Sequence, residues 1–293
     1  MTSSNSIGAA FDDVSRRLAS AGIAAAKLEA RLLVGSVLGV DAAAVLGRPE
    51  TGVSAKDAAR LEAFAARRAK REPLAHILKT REFWSLPFHV TKDTLIPRPD
   101  SETIVEAALA WARGRQTVTS ILDLGCGSGC LLLALLHELP EARGLGVDIS
   151  AAALKVAAKN ARDLGLADRA KFVQGNWHGN LNGGLTKSFD LIVANPPYIP
   201  AGDIPGLEPE VSLFEPRLAL SGGDDGLESH RAIAPLLKGL LAPSGQVFLE
   251  VGKGQAPPVV DVLQEHGLAL IGIKNDLSGI PRCVAVGVAA AAI

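Results

Sequence analysis

The chain has 293 residues, room for two domains that each bury a core, and its 30 basic and 31 acidic residues leave a net charge of −1. That balance lacks the basic excess of a protein that grips nucleic acid through phosphates, and the apolar run Leu131 to Leu136 is far short of the ~20 residues a membrane span needs. Cys126, Cys130 and Cys283 are odd in number and lack metal-site spacing, and the histidines are scattered, so no metal centre is expected.

Met1 to Asn5, followed by Asp12 and Asp13, offers neither a basic leader nor an apolar core, and the expectation is a soluble cytoplasmic enzyme. Residues 7 to about 72 read as helical throughout. Leu28, Leu32, Leu33 and Val37 recur at helical spacing, as do Leu61, Phe64 and Ala65, which predicts a small helical bundle closed by Pro73. The interrupted cluster Arg67-Arg68-Ala69-Lys70-Arg71 reads as a solvated face at a helix end. Phe83 to Val90 is aromatic and β-prone, a short hairpin or extended linker with Pro87 at a bend or edge. In Leu95-Ile96-Pro97-Arg98-Pro99-Asp100-Ser101-Glu102 the prolines forbid regular structure, and Asp100 or Ser101 can cap a helix running to about Arg113.

From Ser120 the pattern alternates. Strands are expected at Ile121–Leu124, Gly144–Val147, Lys171–Val173, Phe189–Ala194, Gln246–Val251 and Cys283–Val288, with Ser150 capping a helix to about Asp163. This predicts an α/β fold with a doubly wound, mostly parallel sheet, in which ligands bind beyond the carboxyl ends of the strands. The organisation expected is a helical domain over 1–75, a hairpin or linker over 76–96 and a catalytic domain over 97–293.

Three of those strand ends suit a nucleoside-bearing cofactor. Gly125-Cys126-Gly127-Ser128-Gly129 lets backbone approach a ligand at a helix N-terminus. A dinucleotide loop would place its third glycine at 130, where Cys130 stands; the tighter spacing resembles the first motif of class I methyltransferases. Asp148, about 20 residues on, can accept both ribose hydroxyls. Asn176 can read an adenine edge, and Trp177 can stack on or wall the ring.

Asn195-Pro196-Pro197-Tyr198 follows a buried strand, and two locked φ angles make that loop rigid. The residue types suit a planar –NH2 group whose lone pair is delocalised. The Asn195 side-chain oxygen and the Pro196 carbonyl can each accept one N–H, steering the nitrogen at a methyl sulfonium and stabilising the charge that develops on it. Tyr198 can cover the flat group. The loop alone leaves amide, adenine N6, cytosine N4 and guanine N2 as substrates.

Beyond these motifs, Lys27 to Leu33, Arg81 to Trp84, Leu95 to Glu102, Glu215 to Leu227, Glu250-Val251-Gly252 with Gln255, and Asp276 to Gly279 with Arg282 resemble the release-factor glutamine N5-methyltransferases (the PrmC or HemK family) over nearly the whole chain. The resemblance implies S-adenosylmethionine as methyl donor, S-adenosylhomocysteine as product and no metal. It implies as substrate the glutamine of the Gly-Gly-Gln motif in class I peptide chain release factors, with the helical domain on the release factor. Gly125 to Gly129, Asp148, Trp177 and Asn195 would then contact the cofactor, and Asn195 to Tyr198 would hold the glutamine. A monomer without membrane or direct nucleic-acid contact is expected; nucleic-acid amino methylation is the alternative. Arg98 is expected to brace the loop, contact substrate or make a structural salt bridge. Glu215 and Arg217 can pair with each other, Gly222-Gly223 suits a turn, and Glu250 reads as structural. Two departures from the family are Lys79, often Gly or small, and Asp100-Ser101, often Glu-Thr.

Overall fold

The computed structural model describes residues 6–114, 118–177 and 188–288. The chain divides into two compact units, one comprising residues 1–79 with 208–214, the other residues 80–207 with 215–293.

The helical unit holds α1 (Ile7–Ser20), α2 (Ala26–Leu38), α3 (Ala42–Gly47), α4 (Ala55–Ala69) and α5 (Leu74–Leu78), with the one-turn α9 (Pro209–Ser212) from later in the chain. Ser6, Asp41 and Ser54 cap α1, α3 and α4 by accepting the N–H three residues on. Pro73 opens α5 instead of ending the bundle, in keeping with proline's preference for helix starts. The stripe that α2 buries is Ala26, Ala30, Leu33, Val34 and Val37, whereas Leu28 and Leu32 are exposed. Small alanines let α1 and α4 approach, which displaces the expected leucine stripe by part of a turn.

The basic cluster is not a solvated face. Arg68 is buried and bonded to Glu29 and Glu210, Arg71 donates to Glu210 at 2.7 Å and to the Gly22 carbonyl at 3.0 Å, and Arg67 pairs with Glu72. These arginines are neutralised by carboxylates, which leaves no charge run for phosphates.

Lys79 ends α5 with φ of 59°, in the left-handed region where a side chain meets the following carbonyl. The position suits glycine. Lys79→Gly is expected to stabilise the fold by about 0.5 kcal/mol, the relief of strain less the entropy that glycine adds to the unfolded chain, measurable as a higher urea midpoint.

In the second unit, β1 (Thr80–Phe83) and β2 (Leu86–His89) form a hairpin. Its turn residues Trp84 and Ser85 both have positive φ, and Glu102 accepts the Trp84 N–H at 2.8 Å. A 3₁₀ turn, Pro99–Ser101, leads into α6 (Glu102–Ala112), and neither Asp100 nor Ser101 caps it through a side chain. Asp100 instead accepts from Arg282 at 3.3 Å, and the Ser101 hydroxyl is turned to partners described below.

The sheet then unrolls as β3 (Ser120–Leu124), α7 (Cys130–Glu138), β4 (Arg143–Asp148), α8 (Ala151–Asp163), β5 (Ala170–Gln174), β6 (Phe189–Ala194), α10 (Glu228–Leu240), β7 (Leu241–Glu250), α11 (Ala256–Glu265), β8 (Leu268–Asn275) and β9 (Pro281–Val288). Strand order is β5-β4-β3-β6-β7-β9-β8, parallel except for β9, which runs antiparallel to both its neighbours. Side chains alternate between two cores. Ile121, Leu191, Val193 and Phe248 pack with α6 and α7 on one face, and Leu122, Ile192, Val247 and Leu249 with α10 and α11 on the other. Strand β8 has no counterpart in the sequence reading. It is the sheet edge, half exposed and broken by a register shift between Leu270 and Gly272, so it shows no clean period of two.

Candidate active site

The strand order reverses between β3 and β6, so the loops leaving them diverge and open a crevice. Register pairs Leu124 with Val147 and with Ala194, and Ala194 with Leu249. The Gly125–Gly129 loop, Asp148, Asn195 and Glu250 therefore stand side by side at the carboxyl ends of four parallel strands.

Within the glycine loop, the N–H groups of Gly125 and Cys126 both donate to the Val147 carbonyl, at 2.8 and 3.0 Å. Gly125, Gly127 and Gly129 all have positive φ. A Cβ on Gly125 would lie 2.9 Å from the Trp177 indole, so this glycine admits the ring that walls the crevice. Asp148 accepts the Gly127 N–H at 2.8 Å through Oδ2 and the Ser150 N–H at 2.8 Å through Oδ1, which fixes its carboxylate while leaving lone pairs to accept from hydroxyls. Ser128 is buried, and Cys126 and Cys130 are thiols whose pKa values burial raises, Cys130 to about 12. Both are inert fillers beside the loop.

Asp123, near the end of β3 and outside the expected site residues, is fully buried and neither carboxylate oxygen meets hydrogen-bond geometry with a described group. Burial raises its pKa to about 7, offset in part by the Leu132 N–H and helped by the Asp148 charge. Burial likewise raises Asp148. Two acids that burial holds against ionisation thus lie near the carboxyl ends of the neighbouring strands β3 and β4.

The catalytic-loop candidates are fixed from behind. Asn195 donates through Nδ2 to Ser101 Oγ at 3.1 Å, and no described group engages its Oδ1. Pro196 is buried. The Tyr198 hydroxyl donates to Glu250 Oε1 at 3.3 Å, and burial beside that carboxyl raises the phenol pKa. Gln255 donates to the Tyr198 carbonyl at 2.9 Å and accepts the Gly252 N–H at 2.9 Å. The Ile199 N–H donates to the Leu220 carbonyl at 3.0 Å, and the Gly222 N–H donates to the Ile199 carbonyl at 2.9 Å.

The glycines of 222–226 do more than turn the chain. A Cβ on Gly222 would lie 2.8 Å from the Pro197 carbonyl, and one on Gly226 2.4 Å from the Tyr198 carbonyl. Backbone packs on backbone here, and this close approach holds the two-proline loop in place. Arg98 makes the salt bridge. Its partner is Glu215, which also accepts the Ile96 N–H at 3.1 Å, so the expected Glu215–Arg217 pair does not form. Glu215 is buried and Arg217 stands two residues on in a 3₁₀ turn, so the carboxylate faces inward to the proline segment. Asn176 ends in the crevice region after β5, beside Trp177. Among the described residues, no group of His, Cys, Asp or Glu could hold a metal ion, and no helix is long and apolar enough to cross a membrane.

Comparison with known proteins agrees with this architecture. Residues 9–78 match the PrmC N-terminal domain, and residues 116–215 match a methyltransferase domain. The chain is 49% identical over 278 residues to the release factor glutamine methyltransferase of Rhodospirillum rubrum, covering 95% of this chain and 84% of that one. It is 45% identical to that of Bradyrhizobium diazoefficiens, over 95% of this chain and 94% of the relative. A methyltransferase structure from Pyrococcus furiosus shares the fold at a TM-score of 0.51 and 15% identity, over 80% of this chain and 98% of that one. With near-complete coverage in both directions, the chain belongs to the release factor glutamine methyltransferase family.

Proposed function

We propose that this chain transfers a methyl group from S-adenosylmethionine to the side-chain amide nitrogen of the glutamine in the Gly-Gly-Gln motif of class I release factors. The observation that carries the reading is the juxtaposition, at one sheet crevice, of the Gly125–Gly129 loop with Asp148 and an Asn195 amide held from behind through its Nδ2. The names of the relatives support release-factor glutamine as the acceptor.

The residues fit the cofactor. Bound, it supplies an electrophilic methyl on a sulfonium, and it carries an ammonium; Asp123 and Asp148 match that cationic character. Gly125 to Gly129 give close backbone approach, Asp148 accepts from ribose hydroxyls, and Asn176 and Trp177 border the base. Asn195 Oδ1 and the Pro196 carbonyl accept the two N–H of the glutamine amide, aim its nitrogen and stabilise the charge that grows there. Pro197 fixes the loop. Tyr198, tethered by its hydroxyl to Glu250, walls the flat amide against water. The methylated amide sheds its proton without a strong base. Arg98 braces this site through Glu215 and the proline segment, and its charge also acts on Tyr198. Residues 1–75 serve recognition, 76–96 link, and 97–293 carry the chemistry, in a cytoplasmic monomer.

The test is transfer of labelled methyl to purified release factor, to its Gln→Ala version in Gly-Gly-Gln, and to duplex DNA and ribosomal RNA. Label on the intact release factor alone is expected. Label on nucleic acid with none on the release factor overturns the substrate.

Asp123 gives a second check. An acid whose folded pKa is raised favours folding below its unfolded pKa, and that advantage is lost as pH rises through about 7. Asp123→Asn is therefore expected to raise the melting temperature of the cofactor-free protein more at pH 8 than at pH 5, while weakening S-adenosylmethionine binding at pH 8. Melting curves at both pH values and calorimetric titration read this; equal cofactor affinity in the two proteins counts against the match of Asp123 to the cofactor's charge.

A further inference from the structure

An asparagine amide can turn over about its last bond at little cost, exchanging oxygen for NH2. For Asn195 the two flips are chemically opposite. With Oδ1 outward it accepts an N–H of the incoming amide; with Nδ2 outward, donor meets donor. Something must hold the productive flip, and the loop's prolines act on the backbone alone.

The groups behind the amide do this. Ser101 is 2% exposed, so its hydroxyl proton has no water to go to. Its Oγ takes the Asn195 Nδ2 proton at 3.1 Å, so its own proton points elsewhere. The acceptor within reach is the Glu250 carboxyl, 1% exposed: its Oε1 accepts the Tyr198 hydroxyl at 3.3 Å, its buried Oε2 meets no hydrogen-bond partner of normal geometry, and Ser101 lies close enough to act on the carboxyl as a donor. One hydroxyl proton cannot serve two acceptors. If the amide turned over, Asn195 Oδ1 and Glu250 would compete for it, and the buried carboxyl would lose.

We propose that Ser101 and Glu250 are positioning residues that lock the Asn195 side-chain amide in the flip that presents Oδ1 to the substrate nitrogen. The relay runs from Glu250 at the end of β7, through Ser101 at the end of the 3₁₀ turn, to Asn195 at the end of β6. The same carboxyl anchors Tyr198, so one buried group sets both side chains of the loop. The inference rests on the reading that Asn195 holds the acceptor amide.

Glu250 ionises near pH 7, held up by burial against the pull of Ser101, Arg282 and Tyr198. Asp100, Cys283 and Cys130 also face it, and His230 Nε2 meets its backbone oxygen at 2.9 Å. Two donors on one carboxyl favour its ionised form, so the relay tightens as pH rises through 7.

The experiment measures single-turnover methylation of release factor, with cofactor affinity by calorimetry, for the full-length protein and three variants. Ser101→Ala is expected to slow methyl transfer about tenfold, the worth of one hydrogen bond, with cofactor affinity within about twofold of wild type. Ser101→Thr, which keeps the hydroxyl, is expected to recover most of the rate. Glu250→Gln, with one acceptor oxygen for two donors, is expected to slow transfer and to abolish the acid limb of the rate–pH profile near 7. Should Ser101→Ala lose its melting transition, Ser101→Cys, closest to serine in size, replaces it under the same expectation. Wild-type rate in Ser101→Ala, no recovery in Ser101→Thr, a loss confined to cofactor binding, or an unchanged profile in Glu250→Gln each overturns the relay. Failure of the wild-type protein to label release factor overturns the parent reading instead.

Discussion

Asn195→Ala is expected to lower the rate of methyl transfer about 10²–10³-fold, the usual cost of deleting one acceptor or donor aimed at transition-state charge. The loss should fall on kcat more than on the affinity for S-adenosylmethionine, because Oδ1 acts most strongly once the attacking nitrogen carries positive charge. The Pro196 carbonyl would remain and hold one N–H, so binding of the release factor should survive. Single-turnover rates beside calorimetric affinities separate the two effects. A variant that transfers methyl at the wild-type rate would remove Asn195 from the chemistry and leave the loop a rigid connector.

Arg68→Ala is expected to destabilise the helical unit by about 3–5 kcal/mol, because deleting one member of a buried ion cluster strands the others. Arg68 bridges Glu29 of α2 and Glu210 of α9, whose side chains are only 16% and 14% exposed. Arg71 would still pair with Glu210, but Glu29 would be left buried without its cation. Urea unfolding followed by far-ultraviolet circular dichroism should show an early transition for this unit. A midpoint unchanged from wild type would mean that water reaches both carboxylates. Arg68→Met, which fills the volume without the charge, should be intermediate, and the difference between the two isolates packing from charge.

Much of the fold was legible because local patterns dictated it. Apolar strands ended by Gly125, Asp148 or Asn195 announce a parallel sheet and its ligand edge, and Ser150 announces a helix start that the structure bears out with a 3.2 Å cap to Ala153. What escaped was non-local. Arg98 meets Glu215 across 117 residues and Arg68 meets Glu210 across 142, and nothing near either arginine in the chain names its partner. Gly222 looked like a turn residue, and Gly226 drew no reading of its own, because their neighbours, the carbonyls of Pro197 and Tyr198, come from another segment. Asp123 escaped for a different reason: its burial without a side-chain hydrogen bond of normal geometry shows only in the fold. Glu250 was legible as structural, but not as the group behind both Ser101 and Tyr198.

Residues 208–214 belong to the helical unit although they lie in the chain after the Asn195-Pro196-Pro197-Tyr198 loop. Neither unit is therefore one uninterrupted stretch of the gene. A lineage that replaced residues 1–79 by joining a new N-terminal piece at residue 80 would inherit Glu210 without Arg68 and Arg71, and so keep an orphaned fragment of the unit it had discarded. The insert ties the inheritance of the two units together: they can diverge, but neither can be traded alone.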